Sequence, residues 1–401
     1  MPSLEFTARR ALSVLSPALL LGLVLPACRD SKGGPQGVRL VPSSLGANGC
    51  SGPDQTFAPP QTPTAVPLAT LVPGPFSQLA AAGDSETLFA TGAGATLVQI
   101  DVSGALPVET ELLSAGEVDQ LLAGAGIAAA AELSGLCVLD AGTLLAVEHA
   151  SNTILAVDRS GVGAPAFFAG RPSSVGGFAD GLALGVPGAG QARFHFDGPT
   201  ALLATDASVG FVLVADTGNH AVRRIGQGFV GTLAGSGAPF FADGDLSGAG
   251  FDSPVGLTLT CSGTLLVSES GAAGVGGHRL RQIVLGPATF FGQAGTVITR
   301  AGNGTDATLQ GDGVAASLSG PVAVLSTADQ DTYWIDSESG ILRRMRGAAD
   351  ASDCPLWSDC ATAVTAGGDF TPGGVLSLAQ TPAGVLYVLD ADAGTLLRVT
   401  P

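Results

Sequence analysis

Five carboxylates stand at matching places along this 401-residue chain: Glu148, Asp216, Glu269, Asp336 and Asp390 close the short apolar runs LLAVE, VLVAD, LLVSE, YWID and LYVLD. A ring of acids at one level would attract a cation. An acid that returns at the same place in every unit is better explained by what every unit needs, which is an acceptor for its own turn amides or a partner for the Arg of the next run. The basic residues of those runs are Arg223 and Arg224, Arg281, Arg343 and Arg344, and Arg398. A structural role for the five acids is therefore the expectation. His149, His195, His220 and His278 are the only imidazoles, the side chains that most often bind transition metals. His149 and His220 fall in turns, whereas His195 lies in the insertion QARFHFDGP, where Asp197, and Asp252 of the next such loop, are expected close by. His195, Asp197 and Asp252 form the alternative surface site, a candidate metal centre.

The elements that hold these residues repeat. Residues 211–254 read FVLVADTGNHAVRRIGQGFVGTLAGSGAPFFADGDLSGAGFDSP. A β-branched run ends in Asp-Thr-Gly-Asn, whose residues tolerate the positive φ of tight turns; two further runs and a polar loop follow. The hairpin recurs at 144–158, 265–284, 333–345 and 386–399, with a weaker copy at 88–101. The third run recurs as QLLAG, AFFAG, GTLAG, VITRAG and AVTAGG, beginning at 120, 166, 231, 297 and 363. The loop recurs as FADG, FADG and QGDG at 178, 241 and 310, and ends as FDGP, FDSP and LSGP at 196, 251 and 318. Self-similarity at this period is the mark of blades or arrays.

The DTGNH turn, the basic strand after it and the Ala-Gly terminator resemble the NHL repeat, a family of propeller blades. The resemblance covers about 75–401 and implies an all-β, six-bladed β-propeller of four-stranded antiparallel blades. His220 then fills the consensus turn position. The architecture is also similar to that of amidoglycolate lyases and calcium-dependent lactonases, which place metal ligands inside the central channel. Here the runs expected innermost are LAAA, LCVL, ALLAT, LTLT, VAVL and VLSL, none with Asp, Glu, Asn or His. No channel metal or other cofactor is expected, and a binding or scaffolding module is favoured over an enzyme.

The sixth copy ends at Pro401 one strand short, and ATLVPG at 69–74 reads as the missing strand. The expectation is that residues 66–72 pair with 395–400, completing the last blade and closing the ring. Because strands alternate in direction, one face then carries the turns at 148–152, 216–220 and 269–278 and the connectors 171–198, 235–253 and 302–320. Long loops on a rigid scaffold are where binding concentrates.

Residues 1–27 read as an export signal, with Arg9-Arg10 before an apolar run too short for a membrane span. Leu25-Pro26-Ala27-Cys28 resembles the bacterial lipobox, which makes Cys28 the lipid anchor and places the rest outside the cytoplasm, on the inner or the outer membrane. TARRALS matches twin-arginine signals poorly, which favours Sec export. Residues 28–64, rich in Gly, Pro, Ser and Thr, read as a tether, and 65–401 as the propeller. Without residues 1–27, 15 Lys plus Arg face 33 Asp plus Glu, a balance that repels phosphate backbones and argues against nucleic acid. A protein, peptide or glycan partner fits better. Cys354 and Cys360 in CPLWSDC read as a disulfide in an oxidising compartment, Cys137 as a buried thiol, and Cys50 and Cys261 have no assigned pairing.

Overall fold

A computed structural model describes residues 64–66 and 77–399, except 129, 183–194, 206–209, 227, 261–262, 272–276, 286–293, 310–312, 328–330, 346–362, 367–369, 371, 373 and 375. The export signal, Cys28, Cys50, Cys261, and the pair Cys354 and Cys360 lie outside the described residues.

Six antiparallel sheets form six blades. From the axis outward they run Leu79–Ala81, Thr87–Gly92, Thr96–Asp101, Val108–Leu113; then Leu133–Val138, Thr143–Glu148, Thr153–Asp158, Ala166–Ala169; then Pro199–Ala204, Val212–Asp216, Ala221–Gly226, Phe229–Gly235. The fourth has Pro254–Leu259, Leu265–Glu269, Arg279–Leu285, Gly295–Ala301; the fifth Pro321–Ser326, Thr332–Asp336, Ile341–Met345, Ala363–Ala366. The sixth has Leu376–Gln380, Leu386–Asp390, Thr395–Val399 and, outermost, Thr64–Val66 from the other end of the chain. Each innermost strand lies against the next, round to Leu79–Ala81 against Leu376–Gln380, so the ring closes.

Strand periodicity explains how blades pack. Successive side chains point to opposite faces. Val212 and Val214 accordingly join Cys137, Leu145 and Val147 of the second blade, while Leu213 and Ala215 join Leu257, Leu265 and Val267 of the fourth. Similar apolar clusters fill the other junctions. At roughly 1.5–3 kcal/mol per buried aliphatic side chain, these clusters are the main force holding blade to blade. Cys137 is a free thiol in this packing, and burial pushes its pKa up to about 12.

Three features depart from the sequence reading. The described part of the closing strand is Thr64–Val66, paired as Thr64 with Arg398, Ala65 with Leu397 and Val66 with Leu396, so the pairing begins two residues ahead of the expected 66–72; ATLVPG at 69–74 lies outside the described residues. QLLAG at 120 is not a strand: it ends a helix, Ala115–Gly124, whose Ser114 and Glu117 form a capping box and whose Val118 and Leu122 are buried at the junction of the first two blades. The outer strand of the first blade is Val108–Leu113. The third and fourth blades also gain a fifth, two-residue strand at their rims, Gly181–Leu182 and Gly244–Asp245. Among the described residues no helix is long and apolar enough to cross a membrane.

Candidate functional site

The five recurring acids are buried at the ends of their strands, each no more than 2% exposed. Their acceptors are spent on the fold. Glu148 accepts from the N–H groups of Ala150 (3.1 Å), Ser151 (2.7 Å) and Glu132 (3.2 Å), and Asp390 from the N–H of Ala393 (2.9 Å). Asp216 takes the Asp197 N–H at 2.8 Å and the Asn219 amide at 2.8 Å, and Glu269 takes the Asp252 N–H at 2.8 Å. Each of these two acids is also paired with an Arg two strand positions in from the turn: Arg223 Nη1 is 2.8 Å from Asp216, and Arg281 Nη1 is 3.2 Å from Glu269. Arg343 stands 2.6 Å from Asp336, which also accepts from Trp334 Nε1.

Alternation along the strand decides which Arg of each doublet is used. Arg223 stands opposite Val214 and shares its buried face; Arg224 stands opposite Leu213 and lies over Phe211, 5.1 Å from the ring. In the fifth blade Arg343 takes Asp336, and Arg344 bonds Asp331.

The loop motifs complete the clamp. Arg223 Nη2 donates to Asp180 Oδ1 (2.8 Å) and to the Ala179 carbonyl (2.7 Å), with Phe178 and Phe196 over its guanidinium at 5.0 and 5.6 Å. Arg281 repeats this with Asp243, the Ala242 carbonyl, Phe241 and Phe251. The FADG and FDGP or FDSP repeats are thus the two jaws around a buried cation, a planar ion that stacks well on aromatic faces. Burial pushes the Asp216 carboxyl up to about 6 and Glu269 up to about 7, with the neighbouring Arg pulling each back; Asp336 is likewise raised to about 6. These acids are sealed from solvent, which suits a structural pair and not an exchange of protons with a substrate.

The histidines divide by role. His220 and His278 sit at left-handed φ of 46° and 57°, where their Nδ1 atoms accept the N–H of Ser253 (3.1 Å) and Gly320 (2.9 Å) from the following connector. Asn152, at φ 54°, does the same with Oδ1 for Gly198 at 2.8 Å. His149 lies in the turn beside Asn152, and its own N–H donates to the Glu132 carbonyl. His195 bridges Ala179, its carbonyl accepts from Arg223, and burial followed by Arg171 lowers its imidazole pKa.

Asp197 and Asp252 belong to successive connectors, and the imidazole nearest Asp252 is that of His220, with Nδ1 3.8 Å from Oδ1. Among the described residues no three His, Cys, Asp or Glu side chains are grouped to hold a metal ion, so His195, Asp197 and Asp252 do not converge as a ligand set. The innermost strands of the described residues carry hydroxyls, at Ser134, Thr200, Thr258, Ser326 and Ser377, and no Asp, Glu, Asn or His.

The turns and connectors share one face, as expected. Ser173 N–H donates to the Ser151 carbonyl, Asn219 Nδ2 to the Gly177 carbonyl and Gly218 N–H to the Asp197 carbonyl. What the sequence did not disclose is the apolar surface these connectors present: Val175, Phe178, Phe241, Leu309 and Val314 are all exposed, on three successive junctions. Phe178 and Phe241 are each 42% exposed while also lying against arginines, Phe178 against Arg223 and Phe241 against Arg279 at 3.8 Å and Arg281 at 5.0 Å.

Many solved structures resemble this ring, among them the following two. A gluconolactonase from Xanthomonas campestris is 13% identical, with 93% of this chain and 99% of that one covered and a TM-score of 0.51. An auxiliary nutrient binding protein from Bacteroides ovatus is 11% identical, with 79% of this chain and 66% of that one covered, also at 0.51. What they share is the fold. No family model matches the sequence, and no curated protein matches it.

Proposed function

We propose that this chain is an NHL-type propeller lipoprotein that binds a protein, peptide or glycan on its connector face. The observation that supports this reading is the pairing of two facts on one face: its recurring acids, arginines and turn histidines are engaged within the fold, while Val175, Phe178, Phe241, Leu309 and Val314 stand open to water. Exposed apolar side chains gathered on rigid loops mark interaction surfaces. In the same reading Cys28 carries the lipid, residues 28–64 tether the ring outside the cytoplasm, and Cys354 and Cys360 pair as a disulfide. Binding on this fold has a counterpart in the Bacteroides ovatus nutrient binding protein. The competing reading, a metal-dependent lactonase or lyase at His195, Asp197 and Asp252, has a counterpart in the Xanthomonas campestris gluconolactonase.

A photo-crosslinking side chain placed at Val175 or Leu309 is expected to capture a discrete partner in intact cell envelopes. The controls are Leu106 and Val162, equally exposed but on turns between third and fourth strands, at the other end of the ring. Capture from Leu106 or Val162 alone, or equally from all four positions, would remove the connector face as the binding surface.

A further inference from the structure

Phe-Ala-Asp at 178–180 and its copy at 241–243 build the same surface unit at two successive junctions. In the first, Asp180 Oδ1 accepts from Arg223 Nη2 at 2.8 Å and from Thr232 Oγ1 at 2.9 Å. In the second, Asp243 Oδ1 accepts from Arg281 Nη2 at 2.8 Å and from Thr299 Oγ1 at 3.0 Å. Both donors of each unit reach the same oxygen. The other, Oδ2, has no hydrogen-bond partner among the described residues, and the two side chains are 46% and 44% exposed. A carboxylate fixed through one oxygen offers the second as a preorganised acceptor. Two residues before each Asp stands an exposed phenylalanine, Phe178 or Phe241.

We propose that these two units are paired subsites for a polypeptide segment of a partner protein that carries cationic side chains beside apolar ones. Each Asp Oδ2 takes an ammonium or guanidinium, and each phenylalanine takes an aliphatic neighbour. The inference rests on the reading of the connector face as a binding surface and names the partner's chemistry. The units sit on neighbouring blades, so a partner that engages both gains from two linked contacts.

Charge favours that partner over a neutral glycan. Asp306 and Glu338 add further exposed carboxylates to this face, whereas among the described residues of the three connectors the one exposed cation is Arg171. A neutral ligand laid over a carboxylate removes its hydration and returns no charge; an ammonium or guanidinium restores both the charge and the hydrogen bond. The chain's net charge of −17 attracts a cationic segment from further away. Val175, on the first unit's connector, and Leu309, on the connector after the second, continue the apolar surface.

The test uses the full-length protein and a fluorescent decapeptide alternating Leu and Lys, read by anisotropy at about 0.15 M salt, where charges more than about 8 Å apart are screened. Asp180→Asn combined with Asp243→Asn is expected to weaken binding about tenfold. Asn keeps the Oδ1 acceptor for each Arg and Thr, so the melting midpoint should hold. Each single substitution is expected to weaken binding about threefold, which keeps the test available if the double variant folds poorly. Asp84→Asn combined with Glu111→Gln removes the same charge from exposed positions of the first blade, off this face, and is expected to leave the affinity unchanged. Equal weakening by the two double variants, or equal binding of a matching Leu and Ser peptide, overturns the inference. So does an N-acetylglucosamine oligomer that binds where the Leu and Lys peptide does not. A photo-crosslinking side chain at Val175 separates this inference from the reading beneath it. Peptide capture there that Asp180→Asn with Asp243→Asn leaves undiminished sinks the subsites and spares the face, whereas binding with no capture at Val175 or Leu309 removes the face itself.

Discussion

Asp216→Ala is expected to lower the stability of the propeller by about 3–5 kcal/mol, because the buried Arg223 loses its buried partner and keeps only the half-exposed Asp180. Arg223 is fully buried and cannot turn to water. The Asp197 N–H and the Asn219 amide lose their acceptor in the same substitution, so the second strand, its turn and the connector come apart together. Asp180→Ala is the informative control. Asp180 meets the same guanidinium at 2.8 Å but is 46% exposed, so solvent screens the pair and the expected loss is about 1 kcal/mol or less. Urea or thermal melting reads both. An unchanged midpoint for Asp216→Ala, or equal losses for the two variants, would count against a structural role for the recurring acids. Binding at the connector face should survive in whatever fraction stays folded.

The second large effect lies in the Ala-Gly terminator. Gly235 sits at φ +100°, and a Cβ there would stand 2.6 Å from the His220 carbonyl oxygen and 2.8 Å from the Ala221 Cα. Both are backbone atoms of the neighbouring strand and cannot swing away. Gly235→Ala therefore combines backbone strain with overpacking and is expected to cost about 2–4 kcal/mol. Gly384→Ala isolates the first contribution, because Gly384 has φ +81° with nothing within 4 Å of the added methyl; about 1 kcal/mol is expected there. Gly170 and Gly302 press on Asn152 and His278 in the same way, which explains why the terminator ends in glycine at all three junctions. If Gly235→Ala melted no lower than Gly384→Ala, the close approach of the fourth strand to the turn would be refuted.

Much of this architecture was legible in the chain because it repeats. Alternating apolar runs and turn residues located the second and third strands of every blade, and the recurrence of an acid before a basic run identified the Asp216–Arg223 and Glu269–Arg281 pairs in kind. Strand alternation, once the register was known, then selected Arg223 over Arg224. The rest failed for physical reasons. The rim strands Gly181–Leu182 and Gly244–Asp245 carry no pattern at all. The helix Ala115–Gly124 did carry its signature, Ser114 followed by Glu117, but the likeness of QLLAG to the other terminators outweighed it.

At the site, a phenylalanine in sequence reads as core. Phe178 and Phe241 are instead half-open lids on buried arginines, a role visible only when the loop is seen folded back across its blade. The partner of His220 was equally hidden, since Ser253 lies on the next blade's connector, 33 residues along the chain.

Metal analysis of the purified full-length protein, paired with melting in the presence and absence of a chelator, bears most directly on the claim that the polar residues of this face serve the fold and the face serves a partner. The account predicts no stoichiometric calcium or zinc and a melting midpoint that the chelator leaves in place. One equivalent of either metal, lost on replacing His195, Asp197 or Asp252 and needed for full thermal stability, would contradict it.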